Sequence, residues 1–430
     1  MDKIGKYEIV RELGHGATST VYLAVDPFNQ QQVALKVFNL DVLHDPTRAK
    51  AYRKLLLTEA SLAGKLSHPH IVKIFDAVMD SDLNYMVMEY FEGETLEKYG
   101  GVDHLKDLGH IAEIIYKCCK ALEYAQYQGV IHRDIKPANI LIRGESDIKI
   151  SDFGSAVVES AQTTQVTGVG SPAYMSPEQI KEQALTHQTD IYSLGVTMYR
   201  LLTGKPPFDA ANNYSMIYQI MNIEPPPPST FRPEIPAALD KIVLRAMSKN
   251  LDSRYQTWDE FARDLVSFIS YNVPQQEEIF DTEKFNDLRA LAFFKNFSDV
   301  ELWEVLRISE WRKVAKDEVI LREGEEGHDV YIIAEGTVRV VKQGRLLSLL
   351  HMGDCFGEMA HLAGKEGRRS TDVISRTEVT LIEIAPEVLS RASANCRYQF
   401  SEAFLGLLAR RLSMANTRIS RLLHDHGDEQ

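Results

Sequence analysis

The stretch Leu13-Gly14-His15-Gly16-Ala17-Thr18-Ser19-Thr20-Val21-Tyr22 places small, flexible residues between two strand-like runs. Such a turn lets backbone N–H groups come close to triphosphate oxygens. The same pattern also serves as an ordinary hairpin turn. Val33-Ala34-Leu35-Lys36 follows and sets an amine on a strand among apolar neighbours. A charge in those surroundings needs an anionic partner. The phosphates of ATP and a helix carboxylate would both serve. Glu59, in the helical pattern from Tyr52 to Leu66, is the natural carboxylate.

Further along lie Val130-Ile131-His132-Arg133-Asp134-Ile135-Lys136-Pro137-Ala138-Asn139-Ile140-Leu141 and Ile150-Ser151-Asp152-Phe153-Gly154. With these motifs in this order, the chain resembles a protein kinase from about Tyr7 to Tyr271, in the style of bacterial relatives of the eukaryotic Ser/Thr kinases. The resemblance implies a bilobal fold over 1–271, with an N-lobe to about 88, a hinge at 89–93 and a C-lobe over 94–271. It implies that Asp134 accepts the substrate hydroxyl proton and that Lys136 steadies the transferring phosphoryl group. Asn139 and Asp152 would hold Mg²⁺ (or Mn²⁺), and Lys36, fixed by Glu59, would align the α- and β-phosphates. ATP would lie under the glycine loop, against Leu13, Val21, Ala34 and Leu141. Its adenine would bond the main chain of Glu89, Tyr90 and Phe91, with Met88 behind the pocket. Ser19 stands where the family usually has a third glycine. None of the catalytic positions is degenerate, which argues against a silent scaffold.

Lys136, two residues after the catalytic aspartate, resembles Ser/Thr rather than tyrosine kinases. So does Gly170-Ser171-Pro172-Ala173-Tyr174-Met175-Ser176-Pro177-Glu178, although Ser171 replaces a usual threonine and Ser176 a usual alanine. Protein Ser/Thr hydroxyls are therefore the expected acceptors. Glu178 is expected to pair with Arg254, and Asp190 to brace the catalytic loop. Arg133 resembles arginines that receive a phosphate from the activation segment. Thr163, Thr164, Thr167 and Ser171 are the candidate acceptors, and a plain solvated loop is the alternative.

A second group of motifs comprises Glu323-Gly324-Glu325, Tyr331-Ile332-Ile333-Ala334-Glu335-Gly336, Leu346 to Leu362 with Phe356-Gly357-Glu358-Met359-Ala360 at its centre, and Arg368-Arg369-Ser370-Thr371. These resemble the cyclic-nucleotide-binding domain over roughly Leu288 to Leu423. The likeness implies that amides near Gly357, Glu358 and Ser370, together with Arg369, hold a cyclic phosphate. Glu358 would accept the ribose 2′-hydroxyl. The ligand would be cAMP or cGMP. A Glu–Arg pair that satisfies itself without ligand is the alternative, and the domain would then act as a docking or dimerisation module. Gly364 to Gly367 lengthen the loop, Thr371 replaces a usual alanine and His361 a usual leucine.

The elements that must position these groups are legible in outline. Tyr7 to Leu13, Thr20 to Val25 and Gln32 to Phe38 read as strands. Ile111 to Gln128, Asp190 to Leu202 and Trp258 to Ser270 read as helices. Pro225 to Pro228 reads as a rigid loop inside the helical lobe. The acidic segment 272–284 reads as a linker, and 285–430 as a glycine-punctuated β-barrel of jelly-roll type with flanking helices. The fold class is thus multidomain α+β. In the closing helix, Leu405, Leu408, Leu412, Ala415, Ile419 and Leu422 alternate spacings of three and four. That pattern fits either a lid on its own barrel or a homodimer seam.

The chain has 430 residues and a net charge of −13, so no general affinity for nucleic acid or an anionic membrane is expected. There is no uninterrupted apolar run of about 18 residues and no apolar signal core, which predicts a cytoplasmic protein. Cys118, Cys119, Cys355 and Cys396 show no metal or disulfide spacing and are expected to be reduced thiols.

Overall fold

The computed structural model describes residues 3–16, 19–38, 61–62, 64–79, 84–153, 157–158, 172–272, 280–358 and 368–425. The chain divides into two units, Met1–Gln276 and Glu277–Gln430.

In the first unit the alternating runs form an antiparallel sheet. Its strands are β1 (Tyr7–His15), β2 (Ser19–Val25), β3 (Gln32–Phe38), β4 (Ile74–Met79) and β5 (Asn84–Glu89), ordered β1-β2-β3-β5-β4, with a short strand Lys3–Ile4 at the edge. Period-two alternation gives this sheet two faces. Tyr7, Ala24, Val33, Leu35, Tyr85 and Val87 cluster on one. Ala34, Ile74, Met86 and Met88 cluster with Val72 on the other, where Leu13, Val21 and Leu141 pack against them. Lys36 is in register with Val21 and Met86, so it shares the face of Ala34.

The helix read as far as Leu66 stops earlier. Ser61 is helical, but Leu62, Gly64 and Lys65 form a turn, with Gly64 at φ 74° and Lys65 N donating to Leu62 O at 3.0 Å. A left-handed glycine of this kind ends a helix.

The helical lobe holds α1 (Leu108–Tyr127), α2 (His187–Thr203) and α3 (Trp258–Asn272). Both α1 and α2 begin three residues before the apolar period does. Their starts are set by caps: Asp107 accepts from Gly109 N, and Thr186 accepts from Gln188 N. Gly204 at φ 70° closes α2. The proline run belongs to this lobe, since Tyr199 Oη donates to Pro226 O at 3.0 Å and Pro225 and Pro228 are buried. The hairpin β6 (Ile140–Arg143) and β7 (Asp147–Ile150) places Asn139 just before its first strand and Asp152 just after its second.

In the second unit, residues 281–284 are helical rather than part of a linker. They open α4 (Asp281–Ala290), which buries Phe285 and Leu288. Asp281 and Glu283, which give the segment its connector-like composition, sit in the helix's first turn, where acidic side chains are favoured.

After α5 (Asp299–Ile308) come, among the described residues, eight strands: β8 (Ser309–Val314), β9 (Val319–Leu321), β10 (Val330–Glu335), β11 (Thr337–Lys342), β12 (Arg345–His351), β13 (Cys355–Phe356), β14 (Asp372–Ser375) and β15 (Val379–Ile384). They form two four-stranded antiparallel sheets, β8-β15-β10-β13 and β9-β14-β11-β12. Val314, Leu321, Ile333, Val338, Phe356, Val373 and Leu381 contribute to one core that draws on both sheets. The closing helix α6 (Ala394–Asp425) buries Cys396, Phe400, Phe404 and Leu407. Phe400 and Phe404 meet Phe293 at ring distances of 5.9 and 5.5 Å. Among the described residues no helix is long and apolar enough to cross a membrane.

Candidate active site and a second cavity

The segment between α1 and β6 is pinned from below. Asp190, buried in α2, accepts from His132 N and Arg133 N, both at 2.7 Å. Burial pushes its carboxyl up despite His132 and these two amides. The grip holds Arg133 at φ 70°, a left-handed conformation that a non-glycine residue adopts only when its surroundings over-determine it. Gln179 of the capped turn Pro177–Ile180 adds a bond from Nε2 to Arg133 O at 2.9 Å.

On this support Asp134, Lys136 and Asn139 come together. Lys136 Nζ lies 2.8 Å from Asp134 Oδ2. Asn139 Nδ2 donates to the same oxygen at 3.0 Å and to Asp134 O at 2.8 Å. The Asn139 carbonyl accepts from Ser151 N at 2.9 Å, which ties this loop to the start of the Asp152 segment. Asp152 stands at φ 61°. Lys36 Nζ contacts Asp152 Oδ1. The Lys36 charge is the leading reason that the Asp152 carboxyl sits below its ordinary value, against the opposing effect of burial.

One strand amine, two carboxylates and an amide, far apart in the chain, are thus tied together by contacts between the sheet and the loops of the helical lobe. The expected adenine lining converges as well: Ala34 and Met88 are buried beside the half-buried Leu13, Val21 and Leu141. Glu89 donates from its N to Lys73 O at 2.8 Å, and its carboxylate meets the buried Lys149 at 2.9 Å. Phe91 is buried and Tyr90 half-buried. Gly14, His15 and Gly16 are exposed, and a Cβ added at Gly14 would meet open space, so the fold's own packing does not demand glycine there. Ser19 is an ordinary strand residue whose carbonyl accepts from Gly16 N at 2.8 Å. Glu59, Ala17, Thr18, Thr163, Thr164, Thr167 and Ser171 lie outside the described residues.

The donor set suits a hard divalent cation. Asn139 commits its amide nitrogen to Asp134, which leaves it the amide oxygen to offer. Asp152 supplies a carboxylate that is 42% exposed. Among the described residues no group of three or more His, Cys, Asp or Glu is placed to hold a metal. A cation held by one carboxylate and one amide must complete its shell with phosphate oxygens and water, the usual habit of Mg²⁺.

Glu178 and Arg254 form a buried pair at 2.7 Å, with Thr189 Oγ1 donating to the carboxylate at 3.0 Å. Burial alone would push the Glu178 carboxyl up. The Arg254 guanidinium, a backbone amide and the Thr189 hydroxyl together outweigh it and hold the group below its ordinary value.

The second unit contains a cavity of about 1160 Å³ lined by Phe356, Gly357, Glu358, Arg369, Ser370 and Thr371, among others. Of the tandem arginines, Arg369 is 5% exposed, whereas Arg368 reaches outward, 3.6 Å from Glu326. Arg369 Nη1 donates to Asp329 O at 2.9 Å and to Gly357 O at 3.2 Å, and its guanidinium lies over the Tyr331 ring at 5.8 Å. Gly357 has φ 84°, and a Cβ there would fall 2.7 Å from Asp329 O, so the turn requires glycine. The carboxylate of Glu358 is satisfied by an arginine, but not by Arg369. Its partner is Arg411 of α6. Nothing in the sequence singles that arginine out, because a basic residue on a long helix usually marks a solvated face. Met359 and Ala360 lie outside the described residues.

Comparison with known proteins follows the same division. The family described as protein kinase domain matches residues 7–269, and the family described as cyclic nucleotide-binding domain matches residues 311–395. The serine/threonine-protein kinase PknB of Mycobacterium leprae is 37% identical over 281 residues, covering 64% of this chain and 44% of that protein. The serine/threonine-protein kinase PrkC of Bacillus subtilis is 34% identical over 317 residues, covering 73% of this chain and 46% of that protein. A probable serine/threonine-protein kinase of Clostridium acetobutylicum is 35% identical over 275 residues, covering 64% and 41%. The chain spans less than half the length of these curated relatives.

Proposed function

This chain belongs to the protein kinase family, and on that premise we propose that it transfers the γ-phosphoryl group of ATP to Ser or Thr hydroxyls of proteins. We further propose that cAMP or cGMP, bound in the second cavity, regulates the transfer. The observation that carries the first part is the division of labour between the two carboxylate oxygens of Asp134. Lys136 and Asn139 both bond Oδ2, and Oδ1 has no bonded donor among the described residues. A carboxylate fixed at one oxygen presents the other to an incoming hydroxyl and takes its proton as attack proceeds. Lys136 lies close enough to Asp134 to stabilise charge on the moving phosphoryl group. Lys36 would align the α- and β-phosphates, while Asn139 and Asp152 would hold the divalent cation. When bound, that cation neutralises charge on the phosphate oxygens. Little covalent work falls to the protein, so positioning and electrostatics carry the rate.

In the second cavity Arg369 is built into the wall by two carbonyl acceptors and lies beside the turn at Gly357. A fixed buried cation beside backbone amides suits one phosphate. A second reading is supported by the Arg411–Glu358 pair, which leaves the carboxylate satisfied without any ligand. In that reading the kinase is active and its C-terminal domain serves docking or dimerisation through α6.

Peptide phosphorylation by the purified full chain, with and without cAMP and cGMP, tests all of this. Transfer that either nucleotide changes supports the first reading. Transfer indifferent to both favours the second, and no transfer from ATP removes the enzyme reading.

A further inference from the structure

Glu358 is 2% exposed, on the wall of the cavity. A buried carboxylate left alone is costly, and here its charge is met from a distant part of the chain. Nη1 of Arg411 contacts Glu358 Oε1, and Nη2 of the same guanidinium contacts Cys355 O. One side chain of α6 therefore clamps both the strand β13 and the carboxylate that follows it. The Arg411 side chain is 31% exposed, so the clamp is reachable from the cavity. The anchoring of α6 by Phe400, Phe404 and Leu407 lies on the N-terminal side of this contact.

We propose that Arg411 is a specificity-determining residue of this cavity, acting as an internal competitor for the ribose hydroxyl. It holds Glu358 while the cavity is empty, and a cyclic nucleotide reaches that carboxylate only by displacing it. The inference rests on the cyclic-nucleotide reading of the cavity. A neutral hydroxyl replaces a full counter-charge at the buried Glu358, so the exchange is unfavourable at that point. The contacts of Arg369 and the nearby amides with the phosphate must drive it. Two consequences follow from reciprocity of coupling. The clamp lowers affinity for the ligand, and the ligand loosens α6 around Arg411. A 2′-deoxy ligand can bind while Arg411 stays in place, so the clamp also narrows the preference for ribo over deoxy ligands.

The test uses the full chain and its Arg411→Gln variant, titrated calorimetrically with cAMP, cGMP and their 2′-deoxy forms. The variant is expected to bind the ribonucleotide at least about fivefold tighter. Its preference for the ribo over the deoxy form should grow by a similar factor, a change that a merely structural arginine would not produce. Hydrogen exchange along α6 in the absence of ligand should quicken near residue 411 in both Arg411→Gln and Glu358→Gln. Intact binding with the same affinity and the same ribo/deoxy ratio in the variant overturns the competition while leaving the cyclic-nucleotide reading in place. Binding by neither protein sinks that reading and the competition with it. Unchanged exchange in both variants overturns the clamp.

Discussion

Asn139 holds Asp134 at two points, donating from one amide nitrogen to its carbonyl at 2.8 Å and to its carboxylate Oδ2 at 3.0 Å. The loop and the side chain are thereby fixed by a single residue. Lys136 reinforces the same oxygen, so the aspartate has one orientation and one oxygen left to work with.

Asp134→Asn should therefore lower turnover by at least about 10²-fold, the lower range for loss of a general base. Asparagine is nearly isosteric, so ATP affinity should change little. Steady-state kinetics with a peptide substrate measures both. Near-normal turnover would remove the role assigned to Asp134.

Arg133 carries the next expectation. Its Nε is buried without a hydrogen-bond partner among the described residues. Burial lowers the guanidinium's pKa despite the nearby Asp190. A phosphate on Thr163, Thr164 or Thr167 would supply the missing acceptor. Replacing all three by alanine should remove a phosphate seen by mass spectrometry and lower activity on the order of tenfold, the worth of one charge-assisted bond. Full activity with no phosphate on the wild-type segment would leave a plain solvated loop.

The Glu178–Arg254 pair gives a pH dependence. The folded carboxyl lies below its ordinary value. Its contribution to stability is thus fully present above the unfolded pKa and is lost as pH falls through the lowered folded value. Glu178→Gln should destabilise the protein by about 3–5 kcal/mol near neutrality, because it leaves Arg254 buried without a counter-charge. The gap between variant and wild-type urea midpoints should close in acid. A gap that is constant with pH would show that the charge on Glu178 is not what matters.

That the site residues come together is legible in the sequence. The motifs at Lys36, Asp134, Asn139 and Asp152 carry chemistry that fixes residue type, and the apolar alternation around them fixes which face they share. The element ends were less legible. Caps at Asp107 and Thr186 started helices ahead of their apolar period, and Gly64 stopped one early. The acidic residues 281–284 looked like a linker because a helix's first turn favours the same composition. Arg411 is invisible in the sequence because no motif marks it: Glu178 and Arg254 lie further apart, yet the kinase resemblance pairs them, and no such resemblance points from Glu358 to the closing helix.

The closing helix supplies the last prediction. Its domain takes the face formed by Cys396, Phe400, Phe404 and Leu407. Of the heptad-spaced positions, Leu405 and Leu412 are 62% and 64% exposed and Leu408 is half-buried. A lid that packed these two exposed leucines on its own barrel would have buried them, so Leu405 and Leu412 lie off the face that the barrel takes. Exposed leucines one heptad apart, within a longer heptad-spaced pattern in the sequence, suit a second copy of the chain. Leu405→Glu with Leu412→Glu should convert a dimer to a monomer by light scattering on the full chain. Both side chains face solvent, so each change should alter monomer stability by no more than about 0.5 kcal/mol. A wild-type chain that is monomeric at high micromolar concentration would end the dimer reading and leave this face without an assigned partner.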